Sequence, residues 1–144
     1  MNTDNFIYII YINTTPQKLW DALTKTEFIS QFWGTDGRSI ESDWKVGSPV
    51  TLIRGNGEID WEGNVLRSEP PTLLSFTFHC KWKKELSVEK PSRVTYSIEP
   101  QETGVKFTVV HDELTEIVRN EISQGWPYIL SALKSLLETG KALL

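Results

Sequence analysis

One cysteine, one methionine and two histidines are all the soft or imidazole ligands that this 144-residue chain carries. The lone Cys80 excludes an internal disulfide and any zinc cluster built on cysteine. Positive charge is also short: 15 Lys and Arg stand against 19 Asp and Glu, for a formal net charge of −4. No basic run occurs. Binding to nucleic acid or to an anionic membrane rests on clustered Lys and Arg, so neither partner is expected. No apolar run approaches the roughly 20 residues that span a bilayer. Met1 to Asn5 shows no basic segment ahead of an apolar core, so no secretory signal is read there and a cytoplasmic location is the default. The G-x-x-x-x-G-K phosphate-cradling pattern is missing, and no His/Cys/Asp spacing suggests zinc. No repeat, low-complexity segment or linker divides the sequence, and residues 1–144 are read as one domain.

What is present is a globular composition, 39% hydrophobic and 24% charged. Six tryptophans are many for this length. Trp126, Ile129, Leu130, Leu133, Leu136 and Leu137 recur at helical spacing and predict one long apolar stripe near the end of the chain, stopped at Gly140. Phe6 to Asn13 reads as a strand with two apolar faces, covered on both sides. Thr14-Thr15-Pro16-Gln17 is a helix start, with capping-box spacing between Thr14 and Gln17. Leu19, Trp20 and Leu23 give a short helix its buried side, and Phe28, Ile29, Phe32 and Trp33 give a second. Strands follow: 38–41 weakly, then 49–54, 58–67, 73–82, 93–99 and 105–112, with a charged loop over 83–91. Gly55-Asn56-Gly57 predicts a type I′ hairpin turn. The class is α+β: a curved antiparallel sheet of about six strands, two short helices after strand 1, and a long C-terminal helix across the concave face.

Little in this pattern carries chemistry. Glu58, Asp60 and Glu62 alternate along one strand and read as a solvated outer face sooner than as a metal site. His79 falls on a polar face. His111 continues an inward face and is either a hydrogen-bonded structural group, a polar anchor for a ligand, or an acid/base. No nucleophile stands at a recognisable spacing from it, so no catalytic residue, metal or cofactor is assigned. Cys80 reads as small apolar filler. The aromatics are the main clue. Trp33, Trp61, Phe76, Phe78, Trp82, Tyr96, Phe107 and Trp126 fall at inward or edge positions. They either fill the core or line an apolar pocket between sheet and helix.

At this point the residues resemble a family. INTTPQKLWDALTKTEFISQFW (Ile12 to Trp33) looks like the opening of the activator-of-Hsp90-ATPase-like proteins. WKVGSPV (Trp44 to Val50), GNVLRSEPPTLLSFTF (Gly63 to Phe78) and TGVKFTVVHDEL (Thr103 to Leu114) continue the match. GWPYILSALKSLLETG (Gly125 to Gly140) is similar to the family's closing helix, except that Pro127 stands where helix formers are usual and predicts a kink or a helix start near 123–127. The resemblance implies the START-like, helix-grip fold of the wider SRPBCC superfamily, also called Bet v 1-like. It favours the pocket reading: a small binding protein holding an apolar, lipid-like or aromatic ligand. Trp33, Trp61, Phe76, Phe78, Trp82, Tyr96, Phe107, Trp126 and Leu130 would line the cavity, and His111 would offer one polar contact. Two alternatives are a protein-interaction module or chaperone ATPase regulator, and an enzyme using the same cavity with His111 as acid or base. The eukaryotic namesake that stimulates a chaperone carries an extra N-terminal domain, for which 144 residues leave no room. Ligand identity and oligomeric state are not read from the sequence.

Overall fold

The computed structural model describes residues 5–143. Among them the elements run β1 (Phe6–Ile12), α1 (Pro16–Thr24), α2 (Thr26–Phe32), β2 (Ser39–Ser42), β3 (Pro49–Ile53), β4 (Ile59–Glu69), β5 (Leu73–Cys80), α3 (Lys84–Ser87), β6 (Ser92–Pro100), β7 (Val105–Asp112) and α4 (Glu116–Thr139). The strands form one antiparallel sheet in the order β1-β7-β6-β5-β4-β3-β2. The expected α+β helix-grip architecture is therefore present, with seven strands where about six were expected. The weak candidate is the difference. Four residues carry almost no periodic signal, but Ser39–Ser42 pairs residue for residue with β3.

Each inner face follows the alternation of its sequence. Leu74, Phe76, Phe78 and Cys80 on β5, Val94, Tyr96 and Ile98 on β6, and Val105, Phe107, Val109 and His111 on β7 are all buried. β1 departs from expectation. It is an edge strand, and Ile7, Ile9 and Tyr11 face outward and exposed.

Helix ends also refine the reading. Thr15, not Thr14, caps α1, its Oγ1 accepting from the Lys18 N–H at 3.2 Å. Gln17 donates forward to Asp21 at 2.9 Å, so no capping box forms with Thr14. α4 starts at Glu116 and continues through Pro127 to a left-handed Gly140 cap. An interior proline costs a helix about 3 kcal/mol. Val118, Ile122 and Trp126, ahead of it, are each buried. Burying one such side chain contributes about 1.5–3 kcal/mol, so the three together outweigh the proline. The loop expected over 83–91 contains the single turn of α3, which buries Leu86.

β4 shapes the sheet. Leu52 pairs with Trp61 but Ile53 with Ile59, which leaves Asp60 as an extra residue. Val65 pairs with Phe76 but Arg67 with Ser75, which leaves Leu66 extra. Such bulges bend a strand and increase its local twist. The hairpin into β4 is not type I′. Gly57 alone takes a positive φ (91°), and the Gly57 N–H donates to the Arg54 carbonyl at 2.8 Å. A three-residue loop closed by one left-handed glycine is the next commonest hairpin solution.

Candidate functional site

Between α4, the end of α2 and strands β4 and β5 lies a pocket of about 420 Å³. Trp33, Trp61, Phe78, Trp82 and Trp126 supply aromatic wall, and Ile122, Gly125 and Ile129 of α4 supply the helical side. The aromatic rings support one another. Trp33 meets Trp126 edge-on at 5.6 Å and lies tilted against Trp61 at 5.9 Å, while Trp61 stacks on Phe78 at 4.7 Å. Pairs in these geometries each add about 0.5–1.5 kcal/mol beyond buried area, which fixes the wall.

The ten residues singled out by sequence divide evenly. Trp33, Trp61, Phe78, Trp82 and Trp126 line the pocket. Phe76, Tyr96, Phe107, His111 and Leu130 are no more than 2% exposed and pack beneath it. Tyr96 sits edge-on to Trp126 at 6.2 Å and Phe76 stacks on Trp61 at 5.2 Å, so this second group backs the first.

His111 is the pivot of that backing. Its Nδ1 accepts from Trp126 Nε1–H at 3.0 Å. Nδ1 is therefore the bare nitrogen, and Nε2–H donates to Ser92 Oγ at 2.7 Å. Ser92 in turn donates to the Phe78 carbonyl at 3.1 Å. One directed chain of hydrogen bonds thus ties α4 to β7, β6 and β5, and it leaves neither imidazole nitrogen free. Burial lowers the histidine pKa to about 3, with Asp112 opposing the shift. The ring is neutral at physiological pH.

The mouth of the pocket is polar, and here sequence parity fails. Asp60 was expected on a solvated face but is buried, because the bulge turns it inward beside Trp61. Arg54 Nε donates to its Oδ1 at 2.8 Å and Arg38 Nη1 to its Oδ2 at 3.0 Å. Arg38 is also held by Asp36 at 2.9 Å. Gly34, at φ 87°, leaves room for that guanidinium: a Cβ there would stand 3.0 Å from Arg38 Nε. Neither arginine was singled out by sequence; the signal, two cations 22 and 6 positions from one aspartate, has no period. Glu58 stays exposed and Glu62 faces Lys81 at 3.6 Å. Across the mouth, Trp82 Nε1 donates to Glu121 at 3.1 Å. That bond holds the Glu121 carboxyl below the usual range; burial opposes it and Lys83 assists. Among the described residues no group of three His, Cys, Asp or Glu side chains is arranged to hold a metal, and no helix is long and apolar enough to cross a membrane.

His79 is half-buried and bonds the Ser87 carbonyl at 2.8 Å. Cys80 is buried and its thiol is pushed up to about 12, by burial first and then by Asp60 and Glu121. Cys80 is expected to resist iodoacetamide at pH 8 in the native protein and to react fully once unfolded in guanidinium, as mass spectrometry would show.

The family model described as Activator of Hsp90 ATPase homolog 1-like protein matches residues 13–138. No curated protein matches the sequence. Among solved structures, protein MLL2253 from Mesorhizobium loti superposes with a TM-score of 0.77 at 23% identity, over 92% of this chain and 96% of that one. The Aha1 dimer from Colwellia psychrerythraea gives 0.74 at 23%, over 96% and 98%. CalU16 from Micromonospora echinospora gives 0.75 at 20%, over 94% and 77%. At these identities the likeness is one of fold.

Proposed function

From the premise that this chain belongs to the activator of Hsp90 ATPase homolog 1-like family, we propose that it is a cytoplasmic binding protein for a small, largely apolar ligand. The ligand occupies the pocket walled by Trp33, Trp61, Phe78, Trp82 and Trp126. One observation carries this reading: a pocket of about 420 Å³ lies between the sheet and the long helix, within the 300–1,000 Å³ usual for small-molecule sites. The role is binding without catalysis. The only histidine near the pocket is spent on Trp126 and Ser92, among the described residues.

Gly125 gives a clean test. It lines the pocket in the middle of α4, and a Cβ built there meets nothing within 4 Å. A larger side chain rooted at this open position is expected to take up ligand space, and replacing a mid-helix glycine favours the helix by up to about 1 kcal/mol. A panel of apolar compounds is expected to contain one that raises the melting temperature. At 100 times its Kd, a ligand adds about 2.7 kcal/mol of stability. Gly125→Leu is expected to keep or raise the ligand-free melting temperature and to weaken that compound at least tenfold. If no compound shifts the parent protein, or Gly125→Leu binds as well as the parent, the reading fails.

The family description favours a second reading, regulation of a chaperone ATPase through the outer surface. Stimulation of an Hsp90 ATPase by this chain, undiminished in Gly125→Leu, would select it.

A further inference from the structure

The polar groups around the pocket are unequally matched. Both Asp60 oxygens are taken by Arg54 and Arg38, and both Glu121 oxygens by Trp82 and Lys83. Donors remain. Among the described residues, Arg54 spends only its Nε–H and Arg38 only its Nε–H and one Nη1–H on protein acceptors. The Trp61 indole Nε1–H is buried without a partner, on a residue only 1% exposed that lines the pocket. An unpaired buried donor costs about 1–3 kcal/mol, so a ligand that supplies an acceptor recovers that amount.

Resting on the reading above, we propose that the ligand is a carboxylic acid with a flat or aliphatic apolar body. Its carboxylate is received by Arg54, Arg38 and the Trp61 N–H, and its body lies along Trp33 and Trp126. Asp60 acts here as a positioning residue. It is buried, holds both guanidinium groups by charge-assisted bonds, and leaves their remaining N–H groups to a planar two-oxygen acceptor. A carboxylate fits that fork. The pocket therefore separates acids from their neutral isosteres at one end and selects by size at the other.

The test is calorimetric titration with three acids, 2-naphthoate, 4-phenylbutyrate and decanoate, each against its primary amide. At least one acid is expected to bind ten times more tightly than its amide. Arg54→Gln is expected to lower the acid-to-amide ratio at least threefold, read within the variant so that any general loss from the disturbed Asp60 pair cancels, while Arg54→Lys retains more of it. In 15N-labelled protein the Trp61 indole N–H resonance, assigned by Trp61→Phe, is expected to move further downfield with the acid than with the amide, whose carbonyl is the weaker acceptor. Amides that bind as well as acids would overturn the inference and leave the apolar-ligand reading standing. If acids and amides alike fail to bind, and no compound of the wider apolar panel binds either, both fall together.

Discussion

His111→Ala is expected to cost about 3–5 kcal/mol of stability and to flatten the acid limb of the stability curve. The first effect combines a cavity beneath Phe78 and Trp126 with an orphaned indole donor. His111 is fully buried and stands 4.9 Å from the Phe78 ring, so nothing from solvent fills the gap or receives the Trp126 N–H. The second effect follows from linkage. The folded ring titrates at about 3, whereas an unfolded histidine titrates near its ordinary 6.5. Protons therefore bind the unfolded chain first. The contribution of His111 is intact above pH 6.5 and declines as pH falls toward 3, by about 1.4 kcal/mol per unit. Between pH 6.5 and 5 that is about 2 kcal/mol, above the range where carboxylates titrate. Urea unfolding of the parent and of His111→Ala at pH 7, 6 and 5 reads both effects. Equal slopes in the two proteins would mean that the imidazole is not held neutral by the fold.

Gly63→Ala is expected to lose about 3 kcal/mol or more, or to leave the protein unable to fold. Gly63 lies on β4 between Trp61 and Val65, both of which point inward. A Cβ at Gly63 would stand 1.7 Å from the Thr77 carbonyl oxygen of β5. That oxygen belongs to backbone inside a paired strand, so it cannot swing away as a flexible side chain could. The neighbouring Asn64 N–H already donates to Thr77 Oγ1 at 2.8 Å, which locks the approach. Gly125→Ala serves as the control, since it meets nothing and is expected to be neutral or stabilising. In thermal melts Gly63→Ala is expected to fall about 10 °C below the parent and Gly125→Ala to melt at or slightly above it. A well-folded Gly63→Ala with unchanged melting would show that β4 and β5 can separate at this point.

His111 was placed on an inward face by simple alternation along β7, and burial follows from alternation alone. Its partners were not legible: Ser92 and Trp126 lie 19 and 15 positions away on different elements. Five pocket residues were named for their aromatic character, yet the same character is shared by Phe76, Tyr96 and Phe107, which pack the core below. A period tells which way a side chain points and not how far the facing layer stands from it. Asp60 shows the opposite failure. Its parity put it outside, and one extra residue in β4 turned it in, where it gathers Arg38 and Arg54.

Residue patterns alone sufficed for the α+β class, the succession of strand, two short helices, strands and long helix, the stripe of α4 with its Gly140 stop, and the family resemblance that the match over residues 13–138 establishes. Those features rest on period and on local backbone preference, which act between residues a few positions apart. The seventh strand, the exposed edge face of β1, the passage of α4 through Pro127 and the arginine-lined mouth of the pocket were decided by tertiary structure. Each depends on what stands opposite: a pairing partner, solvent, an apolar layer worth more than one lost hydrogen bond, or a bulge that reverses a side chain.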